Sequence, residues 1–91
     1  MKLKPTEIKP LEGFKLWIKF SDGTEGTMDY SDKVGKGVFA EWNKPGVFEK
    51  AYIAYHGSAI AWSENLDVDA LNIYLQITGK TFEELPKNLL E

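Results

Sequence analysis

The clearest pattern in the chain is a strict alternation: Phe14, Leu16, Ile18 and Phe20 fall on one side, and Lys15, Trp17 and Lys19 on the other. A period of two marks a half-buried β-strand. Asp22-Gly23 follows at once and predicts a two-residue type I′ turn, whose central positions both need positive φ. The returning strand is expected from Glu25 to Tyr30, with Gly26, Met28 and Tyr30 on one face. Upstream, Leu3 to Leu11 reads as a first strand. Pro5 and Pro10 each lack a backbone donor, which pushes it to the edge of the sheet.

Between Ser31 and Lys50 the period lengthens. Val38, Phe39, Trp42, Val47 and Phe48 are spaced for short helical turns, interrupted by Gly35, Gly37 and Gly46. One helix is expected near 37–43 and another near 45–50, with Pro45 in a first turn where its missing N–H costs nothing. Ala51 to Tyr55 and Ser58 to Trp62 then read as a second hairpin about His56-Gly57. The last strong element is a helix capped by Asp67, with Asp69 favoured by the helix dipole and Gly79 as the left-handed stop. Val68, Leu71, Leu75 and Thr78 follow its rhythm, and Ala70, Ile73, Tyr74 and Ile77 widen the stripe. Thr81-Phe82-Glu83-Glu84 is a capping-box pattern that Pro86 limits to about one turn. The expected architecture is α+β: a small antiparallel sheet of about five strands covered by a C-terminal helix. One domain spans 1–79, with a short tail over 80–91.

Composition narrows the chemistry. The chain has 91 residues, 43% of them hydrophobic and 27% charged, which places it in the range of one small folded domain. There is no cysteine, which excludes disulfides, thiol nucleophiles and thiolate metal sites. With a single histidine, His56, one chain cannot build a multi-histidine metal centre. All 11 basic residues are lysines, so the bidentate fork with which arginine grips phosphate or guanine is absent. Together with a net charge of -3, this disfavours specific nucleic-acid binding. No apolar run reaches the roughly 20 residues of a membrane span, and the start lacks the apolar stretch of a secretory signal. A cytoplasmic protein without a membrane segment is expected, with no cofactor.

Charge is polarised. Residues 1–20 hold five lysines against two glutamates, and residues 61–91 hold two lysines against six acids. This reads either as a steering dipole or as ordinary solvated surface with edge lysines that guard against aggregation.

Few side chains are candidates for function. His56 with Ser58 nearby is the one opening for nucleophilic chemistry, but two residues flanking a hairpin tip lack an orienting acid and oxyanion donors. Asp67, Asp69 and Glu64 form an acidic group that helix capping explains without a metal. Gly35-Lys36-Gly37 lacks the spacing of a phosphate loop. More telling is Trp17, an aromatic ring between Lys15 and Lys19 on the outer side of a strand. Such a platform suits a protein partner or single-stranded nucleic acid, unless the middle segment folds over it or lysine stems cover it. Trp42 and Trp62 lie in apolar contexts and read as core. A ligand pocket, were one present, would be lined by Tyr30, Trp42, Tyr55 or Trp62.

Three stretches carry a resemblance. They are Glu7-Ile8-Lys9-Pro10-Leu11 leading to Phe20-Ser21-Asp22-Gly23; Gly37-Val38-Phe39-Ala40 with Pro45-Gly46-Val47-Phe48; and Ala59-Ile60-Ala61-Trp62 before Leu66-Asp67-Val68-Asp69-Ala70-Leu71. In order and spacing, over about residues 3 to 75, the chain resembles the bacterial domain-of-unknown-function family 2442. Where that family has a glycine or short polar turn after the tryptophan, this chain has Ser63-Glu64-Asn65, with Asn65 suited to positive φ. The resemblance implies an antiparallel sheet with a helix. It brings no catalytic residues, because the family has no established activity. Some relatives carry a further helix-turn-helix domain, which is not expected within the few residues after Gly79. The resemblance also implies an association with a second small protein in toxin-antitoxin-like pairs. The expected function is a non-enzymatic interaction module, meeting a small partner protein or a second copy through Lys15, Trp17 and Lys19 or through its first edge strand. The alternatives are a small-ligand-binding protein and a minor enzyme using His56 with Asp67 or Glu64.

Overall fold

The alternation through residues 15–20 forms the central strand of a first antiparallel sheet, in the order β1 (Pro5–Leu11), β2 (Lys15–Phe20), β3 (Glu25–Asp29). The computed structural model describes residues 3–64 and 66–85. Leu16, Ile18 and Phe20 are buried, and Lys15, Trp17 and Lys19 lie on the opposite face, as the period requires. The hairpin turn differs from the expected type I′. Of Asp22 and Gly23, the glycine alone has positive φ, at 90°. The Gly23 N–H donates to the Phe20 carbonyl (3.0 Å), and the Phe20 N–H to the Thr24 carbonyl (2.8 Å). This is a three-residue loop with a glycine bulge. Asp22 Oδ1 accepts from the Thr24 N–H at 2.9 Å, which holds Asp22 in the ordinary negative-φ conformation of an Asx turn.

The segment 31–51 contains 3₁₀ rather than α-helical turns, at Gly37–Asn43 and Phe48–Lys50. In a 3₁₀ helix, side chains three apart lie one above the other. Phe39 and Trp42 do so, with ring centroids 4.8 Å apart. The helix expected over 45–50 shrinks to three residues because Gly46 adopts φ 79° and breaks it.

The second sheet is also antiparallel: β4 (Tyr52–Ala54), β5 (Ala59–Ser63), β6 (Leu66–Asp69). The fold is therefore α+β as expected, but the described residues form six strands in two sheets instead of about five in one. The missed strand is β6. Asp67 and Asp69 are two apart, which suits a strand as well as a cap, and they point outward while Leu66 is buried and Val68 half-buried. Asp67 is thus not the helix cap. That role belongs to Asp69, whose Oδ2 accepts from the Asn72 N–H at 2.9 Å at the start of helix α1 (Ala70–Thr78). Gly79 ends the helix in the left-handed conformation, its N–H donating to the Leu75 carbonyl. Asn65 and residues 86–91, Pro86 among them, lie outside the described residues.

Helix α1 packs across both sheets, against β3 and against β5 and β6. Gly26 of β3 makes the close approach possible, because a Cβ there would come within 2.6 Å of Ile77 Cγ2. Tyr74 meets Phe20 edge to face at 5.1 Å. Around Trp42, which is 1% exposed, the rings of Tyr30, Phe39, Phe48 and Trp62 lie with centroids 4.8 to 5.2 Å away, a spacing at which each pair adds stabilisation beyond its burial. The Trp62 indole donates to the Phe48 carbonyl at 2.8 Å, while the buried Trp42 indole N–H has no partner among the described residues. After α1, Thr81 and Glu84 form the expected capping box around the single 3₁₀ turn Phe82–Glu84. Leu85 behind it is buried in the core.

Candidate functional site

The outer face of the first sheet is a three-by-three array set by strand register. Glu7, Lys19 and Glu25 stand in one row; Lys9, Trp17 and Thr27 in the next; Leu11, Lys15 and Asp29 in the third. Register partners on one face lie about 5 Å apart at Cβ, close enough for their charges to interact. Each strand-centre lysine therefore has an acid beside it, Asp29 for Lys15 and Glu7 and Glu25 for Lys19. Hydrogen bonds from the Ser31 side chain and backbone hold the Asp29 carboxyl below its ordinary pKa, and Lys15 adds to this by its charge. Three lysines face three acids, so the array is neutral as a whole. Trp17 is thus an aromatic centre in a balanced polar field.

Trp17 is half-buried. The middle segment does not fold over it, since the rings of Phe39, Trp42 and Phe48 pack on the other side of the sheet in the core. Lys15 is exposed and Lys19 half-buried beside it. Trp42 and Trp62 are core residues, as expected. The first edge strand is less open: β1 packs against β4 and the Phe48–Lys50 turn.

His56 is exposed on the 55–58 connection of the second hairpin. Tyr55, His56 and Gly57 all have positive φ, at 51°, 56° and 91°. Two non-glycine residues in this region strain the backbone, and the Ser58 N–H and Oγ both bond the Tyr55 carbonyl there, at 3.1 and 2.8 Å. Ser58 thus turns to the backbone and not to His56. Among the described residues, no side-chain hydrogen bond or ion pair joins His56 to Asp67 or Glu64. Nor, among those residues, do three histidine or carboxylate side chains converge as a metal centre would require.

A cavity of about 180 Å³ opens between the 3₁₀ segment and helix α1. Of the four aromatic residues expected to line a pocket, only Tyr30 borders it. Trp42 and Trp62 are sealed in the core, and Tyr55 is 58% exposed on the hairpin tip. The lining residues Asn72 and Gln76 carry no signal in the sequence beyond the polar side of an amphipathic helix.

A family model described as "Protein of unknown function (DUF2442)" matches residues 5–88. The chain belongs to the DUF2442 family. The match runs through both sheets, α1 and the capped turn after it, so the DUF2442 unit includes the elements that carry the Trp17 array and the cavity. No curated protein and no solved structure matches this DUF2442 chain significantly. Among the described residues, no helix is long and apolar enough to cross a membrane.

Proposed function

We propose that this DUF2442 protein is a non-enzymatic protein-interaction module whose outer first-sheet face, centred on Trp17, docks a small partner protein in the bacterial cytoplasm. One observation carries the reading: of three tryptophans, Trp17 alone stands on the solvent side of a sheet, at the centre of a neutral array. Half-exposed tryptophans ringed by polar groups are where binding energy concentrates at protein interfaces. The absence of cysteine and arginine and the isolation of His56 support the same reading.

The array favours a different protein over a second copy. In a face-to-face dimer, a two-fold axis along β2 sets Lys15 and Lys19 each against its own copy. An axis across the strands at Trp17 sets Lys15 against Lys19. Either arrangement opposes like charges, which an isologous interface must avoid. A pairing of the toxin-antitoxin kind, with one small protein held by another, has the required asymmetry.

The test is Trp17→Ala, measured both for partner capture and for melting temperature. Loss of a discrete partner with an unchanged melting temperature is the expected result. A variant that self-associates less while capturing the same proteins would point to a second copy, and a large drop in melting temperature would make Trp17 a structural residue.

A further inference from the structure

The cavity between the 3₁₀ segment and α1 has the make-up of a site for a small zwitterion. Its floor is apolar, built from Phe39, Val68 and Ile73, with Tyr30 beside them. Tyr30 is only 4% exposed, and its hydroxyl makes no hydrogen bond to any described residue. Among the described residues the Trp42 indole nitrogen is the buried side-chain polar atom without a partner, so the Tyr30 hydroxyl is open to solvent and can donate to an acceptor arriving in the cavity. Burial pushes this phenol up to about 12, so at neutral pH it keeps its proton and is a donor.

The mouth of the cavity is polar: Lys33, Asp69, Asn72 and Gln76, all exposed. Asp69, Asn72 and Gln76 fall on one stripe of α1, at the three- and four-residue spacing that places side chains one above the other. Lys33 comes from the opposite wall. Among the described residues, Lys33 and Asp69 form no ion pair with each other, although they border the same space. Oδ2 of Asp69 accepts from the Asn72 N–H, which leaves Oδ1 to a ligand. One cation and one anion that border the same apolar space without pairing match a molecule carrying both charges and an aliphatic body.

Size limits the choice. A cavity of about 150 Å³ accepts benzene, so about 180 Å³ suits a ligand of roughly eight heavy atoms. We infer that this cavity binds a free aliphatic α-amino acid of about the size of valine. The carboxylate meets Lys33 and the Tyr30 hydroxyl, the ammonium meets Asp69, and the side chain lies on Phe39 and Ile73. This site is separate from the Trp17 array and does not depend on the interaction reading.

The test is titration of the full chain with L-valine, followed by calorimetry and by the backbone amide signals of Tyr30, Asn72 and Gln76. The expected result is saturable binding with a Kd of about 1 mM or tighter, a modest demand for so few heavy atoms. Isovalerate, which lacks the ammonium, and isobutylamine, which lacks the carboxylate, should each bind at least about tenfold more weakly. Lys33→Gln and Asp69→Asn should weaken valine by a similar factor, and the second keeps a capping oxygen so that α1 still starts correctly. Absence of saturation at about 20 mM valine, far above that expected constant, would overturn the inference. So would equal binding of either singly charged analogue, or undiminished valine binding by both variants.

Discussion

The Tyr74 hydroxyl donates a 2.7 Å hydrogen bond to Asp22 Oδ2, joining helix α1 to the loop of the first hairpin. Sequence distance makes this bond informative, since the two residues lie 52 positions apart and belong to elements whose own backbone hydrogen bonds are local. Burial pushes the Asp22 carboxyl up, and hydrogen bonds from Tyr74 and Thr24 outweigh it, so the group sits below its ordinary value. On the other partner, the bond to Asp22, followed by burial, raises the Tyr74 phenol.

The sign of the pH dependence follows. A depressed carboxyl stabilises the fold above its unfolded pKa, and that contribution is lost as pH falls through the folded value. Tyr74→Phe should therefore cost about 1 kcal/mol at pH 7, and the gap from the wild type should narrow in acid below about pH 4. At the other end, the raised phenol stabilises below its unfolded pKa of about 10 and loses this as pH rises further, so the gap should narrow there as well. Urea unfolding of both proteins at pH 3, 7 and 10.5 measures it. A gap that is constant across the three would show that the bond contributes nothing specific.

Gly26→Ala should destabilise by about 1 to 3 kcal/mol through overpacking. The new Cβ would meet Cγ2, Cγ1 and Cδ1 of Ile77 at 2.6 to 3.3 Å, and a β-branched side chain has little rotamer freedom with which to move away. In an Ile77→Ala background the extra cost should largely vanish, which a double-mutant cycle by urea unfolding would show as coupling. Additive costs would place the helix farther from β3 than the structure has it.

The two core tryptophans should differ. Replacing Trp62 by Phe removes the donor to the buried Phe48 carbonyl, whereas Trp42→Phe removes an indole N–H that has no partner among the described residues. Both changes remove ring volume, but Trp62→Phe should cost about 1 to 3 kcal/mol more. Thermal unfolding of the pair decides it, and an equal loss would mean that the Trp62 bond is not a net stabiliser.

Much of the fold was legible because periods of two and of three to four carry it. The faces of β2 and β3, the two buried tryptophans and the Gly79 stop all follow from local pattern. Two features were not legible for physical reasons. Asp67 and Asp69 satisfy the spacing of a strand and the chemistry of a cap together, and only the pairing of Leu66–Asp69 with β5 chooses between them. The cavity is harder still, since Tyr30 and Lys33 come from the segment after β3 and Asn72 and Gln76 from α1, far apart in the chain. Their meeting depends on how α1 lies over β3 and β6, and no local signal contains that. Trp17 lies between these cases: its face was readable from alternation, but the neutrality of its surroundings depends on register, which brings Glu7, Glu25 and Asp29 beside the lysines.

The most direct measurement places a photo-crosslinking benzoylphenylalanine at position 17 and, separately, at Tyr52, which is 46% exposed on the second sheet, in cells of the native host. A single small protein crosslinked from position 17 and not from position 52, and lost when Lys15 and Lys19 are both changed to Glu, is the expected result. Crosslinks of equal pattern from both positions, or none from position 17, would contradict a docking surface centred on Trp17.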